Sequence, residues 1–202
     1  VAIVNGSCTL PQLKARLNIG DNRDDATLEA LVTAVSRQIE DYTGHRFYAT
    51  TATRVYTAVS PTCLLLPRGH DLLSVTTLKT DEDGDRTYEV TWDADDYDLR
   101  PSNAPSDGLP YWQLHTRWLG EHYLPTNVPL GVEIAGTWGY SSSTPAVVQE
   151  ACLLQCQMAF QQGLASGSPA AGTGEYAQTL IGVGLHPFCR RMLDPYRDLV
   201  MA

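Results

Sequence analysis

Residues 24–47 read DDATLEALVTAVSRQIEDYTGHRF, from Asp24 to Phe47, and the fold is decided by how this stretch is read. Leu28, Leu31, Val32, Val35, Ile39 and Tyr42 recur at steps of three, one, three, four and three, which is a single stripe on a helix of 3.6 residues per turn. Asp24 or Asp25 can accept from the N–H groups of the first turn, acid there suits the helix dipole, and Gly44 supplies a left-handed stop. Arg23, Glu29, Arg37, Glu40 and Asp41 largely fall off the stripe. One face therefore meets water and the other requires a partner.

Two further helical patterns supply it. Thr9-Leu-Pro-Gln12 has the form of a capping box, and Leu10, Leu13 and Leu17 follow at helical spacing before Gly20. Farther on, Ser141 to Pro145 is a helix start, with Thr144 as cap and Pro145 in the first turn. Val147, Ala151, Leu154 and Met158 then form a row flanked by Val148, Cys152 and Ala159. The expectation is a pair of long helices, Asp24 to Thr43 and Thr144 to Gln162, packed in one bundle.

Between them the period changes. Arg54–Val59, Cys63–Leu66, Leu73–Leu78, Tyr88–Trp92, Trp112–His115 and Gly131–Ala135 are short, β-branched or aromatic, and bounded by Pro, Gly and Asp. The predicted fold class is therefore α+β, a helical bundle with a small antiparallel β-domain inserted between the two long helices. The expected division is 1–49 for the N-terminal helices, 50–143 for the inserted β-domain, and 144–202 for the long helix, a flexible loop and a C-terminal docking helix.

The chain has 202 residues and a formal net charge of -9, with a pI near 4.9, which argues against a surface that grips nucleic-acid phosphate. Much of the acid lies between Thr77 and Asp98, where Asp81, Glu82, Asp83, Asp85, Glu89, Asp93, Asp95, Asp96 and Asp98 face only Lys79 and Arg86. Asp81 to Asp85 invites a calcium reading, but an EF-hand loop carries its glycine sixth and Gly84 is fourth, so a hairpin turn is expected. Cys8, Cys63, Cys152, Cys156 and Cys189 form no CxxC pair and have no clustered histidines, which predicts reduced, mostly buried thiols without zinc. His45, His70, His115, His122 and His186 are scattered, and no GxSxG, HExxH or Walker pattern occurs. No catalytic residue, cofactor or metal is expected, and the chain is not read as an enzyme. No apolar run is long enough to cross a bilayer, and VAIVNGSCT lacks the form of a signal peptide, which predicts a soluble, intracellularly made protein.

Toward the C-terminus, residues 163–174 (GLASGSPAAGTG) cannot offset their ordering entropy and are expected to be mobile. Thr179 to Leu185 follows and is expected to be extended. Asp194 is then read as the cap of a helix beginning at Pro195, with Tyr196, Leu199 and Val200 on its apolar face. So short a helix needs a surface to dock on.

Taken together, LKARLNI (13–19), the Asp24 helix ending in Tyr-Thr-Gly and Phe47, LKTDEDGDRTYEVTWDADDYDL (78–99), VEIAGTWGY (132–140) before Thr144-Pro145-Ala146-Val147, and LDPYRDLV (193–200) resemble the head-tail connector (adaptor) proteins of tailed bacteriophages and gene transfer agents. The resemblance implies a twelve-fold homo-oligomeric ring between the portal protein and a tail-side stopper or tail-completion protein. Double-stranded DNA would pass non-specifically through its lumen. It further implies synthesis in the host cytoplasm, a place at the head-tail interface of the virion, and no membrane partner. An acidic lining fits a channel that must let a polyanion slide. Leu193, Pro195, Tyr196, Arg197, Leu199 and Val200 become the candidate portal-binding residues. The alternatives are a tail-completion or stopper protein, or a glycan-binding or hydrolytic β-module, suggested by Trp92, Trp112, Trp118 and Trp138.

Overall fold

The structure, a computed structural model, describes residues 3–118, 120–165 and 184–197. In chain order, helices α1 (Leu10–Leu17) and α2 (Asp25–Thr43) precede strands β1 (Thr50–Tyr56), β2 (Cys63–Leu65), β3 (Leu72–Thr80), β4 (Val90–Trp92) and β5 (Tyr97–Arg100). The short helix α3 (Ala104–Asp107), β6 (Gln113–Thr116) and β7 (Val132–Trp138) come next, then α4 (Ala146–Ala165) and α5 (Pro187–Leu193), followed by a 3-10 turn, Asp194–Tyr196. The chain divides into two compact units, one made of residues 1–47 with 144–202 and the other of residues 48–143. Among the described residues no helix is long and apolar enough to cross a membrane.

In the helical unit, Thr9 and Gln12 cap α1 reciprocally: Thr9 Oγ1 accepts the Gln12 N–H at 3.4 Å, and Gln12 Oε1 accepts the Thr9 N–H at 2.9 Å. Asn18, left-handed at φ 56, ends α1 two residues before the expected Gly20. Helix α2 stops at Gly44, whose φ of 86 lets its N–H reach Glu40 O at 2.7 Å. At its other end Asp24 makes no side-chain cap, and the Asp25 carboxylate pairs with Lys14 Nζ at 2.6 Å. Leu28, Leu31, Val32, Val35 and Ile39 are buried, so the stripe read from the sequence is the inner face. Helix α4 packs against α1, α2 and α5. Its buried residues are Val148, Ala151, Cys152, Gln155, Cys156, Ala159 and Phe160, while Val147 is 41% exposed and Leu154 and Met158 are half-buried. The helix is apolar on nearly every side, so spacing did not select its inner face. Small side chains did, because Ala151, Cys152, Cys156 and Ala159 allow neighbouring helices close.

In the other unit, β1, β7, β3 and β4 form one antiparallel sheet in that order, and β2, β6 and β5 form a second. Along β7 the residues Val132, Ile134, Gly136 and Trp138 alternate inward. Glycine is needed at 136 because a Cβ there would stand 2.2 Å from Ser74 O, where β3 carries register shifts between Leu72 and Ser74 and between Val75 and Thr77. Tyr56, Leu64, Leu72, Leu78, Trp92, Leu114, Ile134 and Trp138 close a core drawn from both sheets.

The expectation of a helical bundle with a small antiparallel β-domain between two long helices is therefore corrected. The fold is mixed α+β, with five helices and seven strands in two antiparallel sheets among the described residues. The β half is no appendage, since it buries two tryptophans and an isoleucine in a core of its own. Strand β5 was not expected at all, because Asp95, Asp96 and Asp98 obscure the spacing of Tyr97 and Leu99, which pack against that core.

Candidate partner-binding site

The C-terminal segment is held from its first residue. Pro187 opens α5, where its missing N–H costs nothing, and His186 Nδ1 accepts the Phe188 N–H at 3.2 Å. The His186 N–H in turn donates to Gln155 Oε1 at 2.9 Å, and Gln155 Nε2 donates to Gly184 O at 3.4 Å. A buried amide on α4 is thereby satisfied by the backbone of this segment. Leu185, Cys189 and Leu193 are buried, and they fasten α5 to α4 by apolar contact.

Asp194 closes α5 and does not start a helix. Pro195 has no N–H to continue the α-helical ladder, so Asp194–Tyr196 tightens to one 3-10 turn, and Arg197 is extended at φ -82, ψ 127. Of the candidate portal-binding residues, Leu193 is fully buried, Tyr196 half-buried, and Pro195 and Arg197 exposed. Leu199 and Val200 lie outside the described residues, as do 166–183, which hold most of the stretch expected to be mobile and all but Gly184 and Leu185 of the segment expected to be extended. Tyr196 meets Phe47 edge-on, with ring centroids 5.9 Å apart, and the Arg197 guanidinium lies 5.4 Å over the Tyr42 ring. The Tyr42 hydroxyl donates to Asp194 Oδ1 at 2.6 Å, a bond that raises the Tyr42 pKa by favouring the protonated phenol. Sequence reasoning missed Tyr42, Phe47, Gln155 and His186 as the seat of this segment. Their partners are remote in sequence, and the available cue was the Tyr42 ring at the end of the α2 stripe.

The exposed residues of this segment carry more basic than acidic charge in an acidic chain: Arg190, Arg191 and Arg197 are exposed with Asp194, Pro195 and Phe188, the last 56% exposed. This edge can offer guanidinium forks to carboxylates and a ring to an apolar pocket.

The acidic stretch is built differently. Asp81 Oδ1 accepts the Gly84 N–H at 2.7 Å and Oδ2 the Arg86 N–H at 2.9 Å. Burial works to raise its pKa, yet these backbone donors outweigh it and hold the carboxyl below its ordinary value. Asp83 and Asp85 accept the N–H groups of Asp85 and Thr87 at 3.1 and 2.6 Å. These carboxylates shape a turn, while Glu82, Asp83, Asp85, Glu89, Asp93 and Asp95 are exposed as a field of negative charge.

Other sequence candidates separate. Trp92 and Trp138 are core residues whose indole N–H groups donate to Thr80 Oγ1 at 3.0 Å and Ala52 O at 2.8 Å, leaving Trp112 and Trp118 exposed at 45% and 94%. Cys63 Sγ lies 3.5 Å from His115 Nε2, but Gln113 Oε1 shares that nitrogen at 3.1 Å. Asp98, the β5 partner of His115, gives its carboxylate to Arg117 at 3.0 Å. Among the described residues, therefore, the Asp98 carboxylate is engaged with Arg117 and not with His115.

Residues 7–64 match the family model described as "Phage gp6-like head-tail connector protein". No curated protein matches the sequence. Among solved structures, the chain is similar to one in the neck of an empty gene transfer agent (GTA) particle computed with C6 symmetry, at 17% identity and a TM-score of 0.61, covering 100% of this chain and 95% of that one. A chain in the neck of the native GTA particle computed with C12 symmetry matches at 17% identity and a TM-score of 0.59, covering 100% and 94%. A third, in the virion of the native GTA particle, matches at 16% identity and a TM-score of 0.61, covering 100% and 95%. The sequence resemblance to head-tail connectors therefore lies in residues 7–64, and over the whole chain the fold is that of the GTA neck chains.

Proposed function

We propose that this chain is a structural head-tail connector of a virion neck, assembled as a twelve-fold ring between the portal protein and a tail-side stopper or tail-completion protein, with DNA passing through the lumen. The observation that carries the reading is the shared fold over 100% of the chain with GTA neck chains, together with the connector family match over residues 7–64. Ring formation is supported by the C6 and C12 symmetries of those necks. In a ring, the exposed carboxylates between Glu82 and Asp95 repel phosphate and keep a passing duplex from sticking.

Portal docking is assigned, in this proposal, to the C-terminal segment. Leu193 and Tyr196 hold its base on the chain's own helical unit, while the exposed Pro195 and Arg197, with Leu199 and Val200, are assigned to the portal contact. The basic character of Arg190, Arg191 and Arg197 suits an acidic portal surface.

The test is to mix purified protein with tailless, portal-bearing heads and measure particle mass and co-sedimentation. A ring of about twelve copies on the portal is expected. A persistent monomer that ignores heads would overturn the reading, and capture by tail tubes instead would assign the chain to tail completion.

A further inference from the structure

Cys8, Cys152 and Cys156 are all buried, and their Sγ atoms lie within 4.8 Å of one another in the interior of the helical unit. Cys152 and Cys156 project from one face of α4 a turn apart. Cys8 comes from the loop leading into α1, and its Sγ stands 3.4 Å from Cys152 Sγ. A fourth group adjoins them, since Ser36 Oγ lies 3.8 Å from Cys152 Sγ. That hydroxyl donates to Val32 O at 2.6 Å and accepts the Ser7 N–H at 2.9 Å, so its oxygen is fixed in place with one lone pair uncommitted.

We propose that Cys8, Cys152 and Cys156 form a site for a single thiophilic d10 cation, Zn2+ or Cu+, with Ser36 Oγ at the fourth position. Metal-sulfur bonds of about 2.3 Å set tetrahedral thiolates roughly 3.8 Å apart, a spacing the three sulfurs reach with small rotations from where they stand. Thiolate donors select these soft ions over Mg2+ or Ca2+. No histidine or carboxylate joins the group among the described residues. On binding, each thiol exchanges its S–H bond for an S–metal bond, three protons leave, and no electron moves. With Zn2+ the site keeps one net negative charge, and with Cu+ two, so burial favours the divalent ion. The bound ion would tie the loop before α1 to α4, a long-range clip within the helical unit.

The test uses the full chain, reduced and handled without oxygen, with Cd2+ as a spectroscopic probe. A thiolate-to-cadmium charge-transfer band saturating at one equivalent is expected. Cys8→Ser should remove it, and Cys63→Ser, outside the cluster, should leave it intact. Competition of Zn2+ and Cu+ against bound Cd2+ then identifies the preferred ion. X-ray absorption on the metal-loaded wild type counts the sulfurs without any variant, so a Cys8→Ser chain that fails to fold does not stall the test. Three sulfurs support the proposal. Fewer than three, no band at all, or a band that survives Cys8→Ser overturns it.

Discussion

The Tyr42 hydroxyl, on the last turn of α2, donates to Asp194 Oδ1 at 2.6 Å across 152 positions of sequence. The bond joins the C-terminal turn to α2 in its own unit, and its contribution depends on pH. Because Asp194 raises the Tyr42 pKa, the contribution is complete below the ordinary tyrosine value of 10 and is lost as pH climbs through the raised value. Tyr42→Phe should cost about 0.5–1.5 kcal/mol at neutral pH, the worth of one net hydrogen bond. In melts run from pH 8 upward, the gap between wild type and variant should close. A gap that stays constant would mean that the hydroxyl does not carry the effect.

Leu193 and the residues beyond Arg197 should behave in opposite ways. Leu193 is fully buried, and Leu193→Ala should lower stability by about 2–5 kcal/mol through loss of apolar contact and the cavity left behind. Truncation after Arg197 spares every described contact and should leave the melting temperature nearly unchanged while abolishing attachment to portal-bearing heads. A truncated chain that still attaches would move the portal contact elsewhere on the protein.

Gly136→Ala should be severe for a one-carbon change. The new Cβ would meet Ser74 O at 2.2 Å, and a backbone oxygen in the centre of a sheet cannot rotate away as a side chain can. A loss of about 1–3 kcal/mol or more is expected from overpacking, read from the midpoint of urea unfolding. An unchanged midpoint would show that the β3 bulge yields freely.

Asp81→Asn should destabilise the β3–β4 turn at neutral pH, because an amide NH2 would stand in place of one of the two carboxylate oxygens that accept the Gly84 and Arg86 N–H groups. The folded pKa of Asp81 is lowered, so its contribution is present above the ordinary carboxylate value of 3.8 and fades as pH falls through the folded one. Melts of wild type and variant should therefore converge in acid, and a difference that persists there would assign the effect to shape and not to charge.

What the sequence determined by itself lies where the physics is local. The buried stripe of α2, its stop at Gly44 and the reciprocal cap of Thr9 with Gln12 are written within one or two turns of chain, and each is found in place. The connector resemblance was legible for a related reason, since it rests on short contiguous motifs. Tertiary structure decided the rest. Which face of the apolar helix α4 turns inward depends on what packs against its small residues. Strand β5 exists because β6 pairs with it, despite three aspartates that argue for a loop. That the strands form two antiparallel sheets closing on one core was likewise decided by long-range pairing. The seat of Tyr196 on Phe47 and the meeting of Cys8 with Cys152 join residues more than 140 positions apart. No local spacing records such contacts, because their free energy appears only once the chain between them has folded.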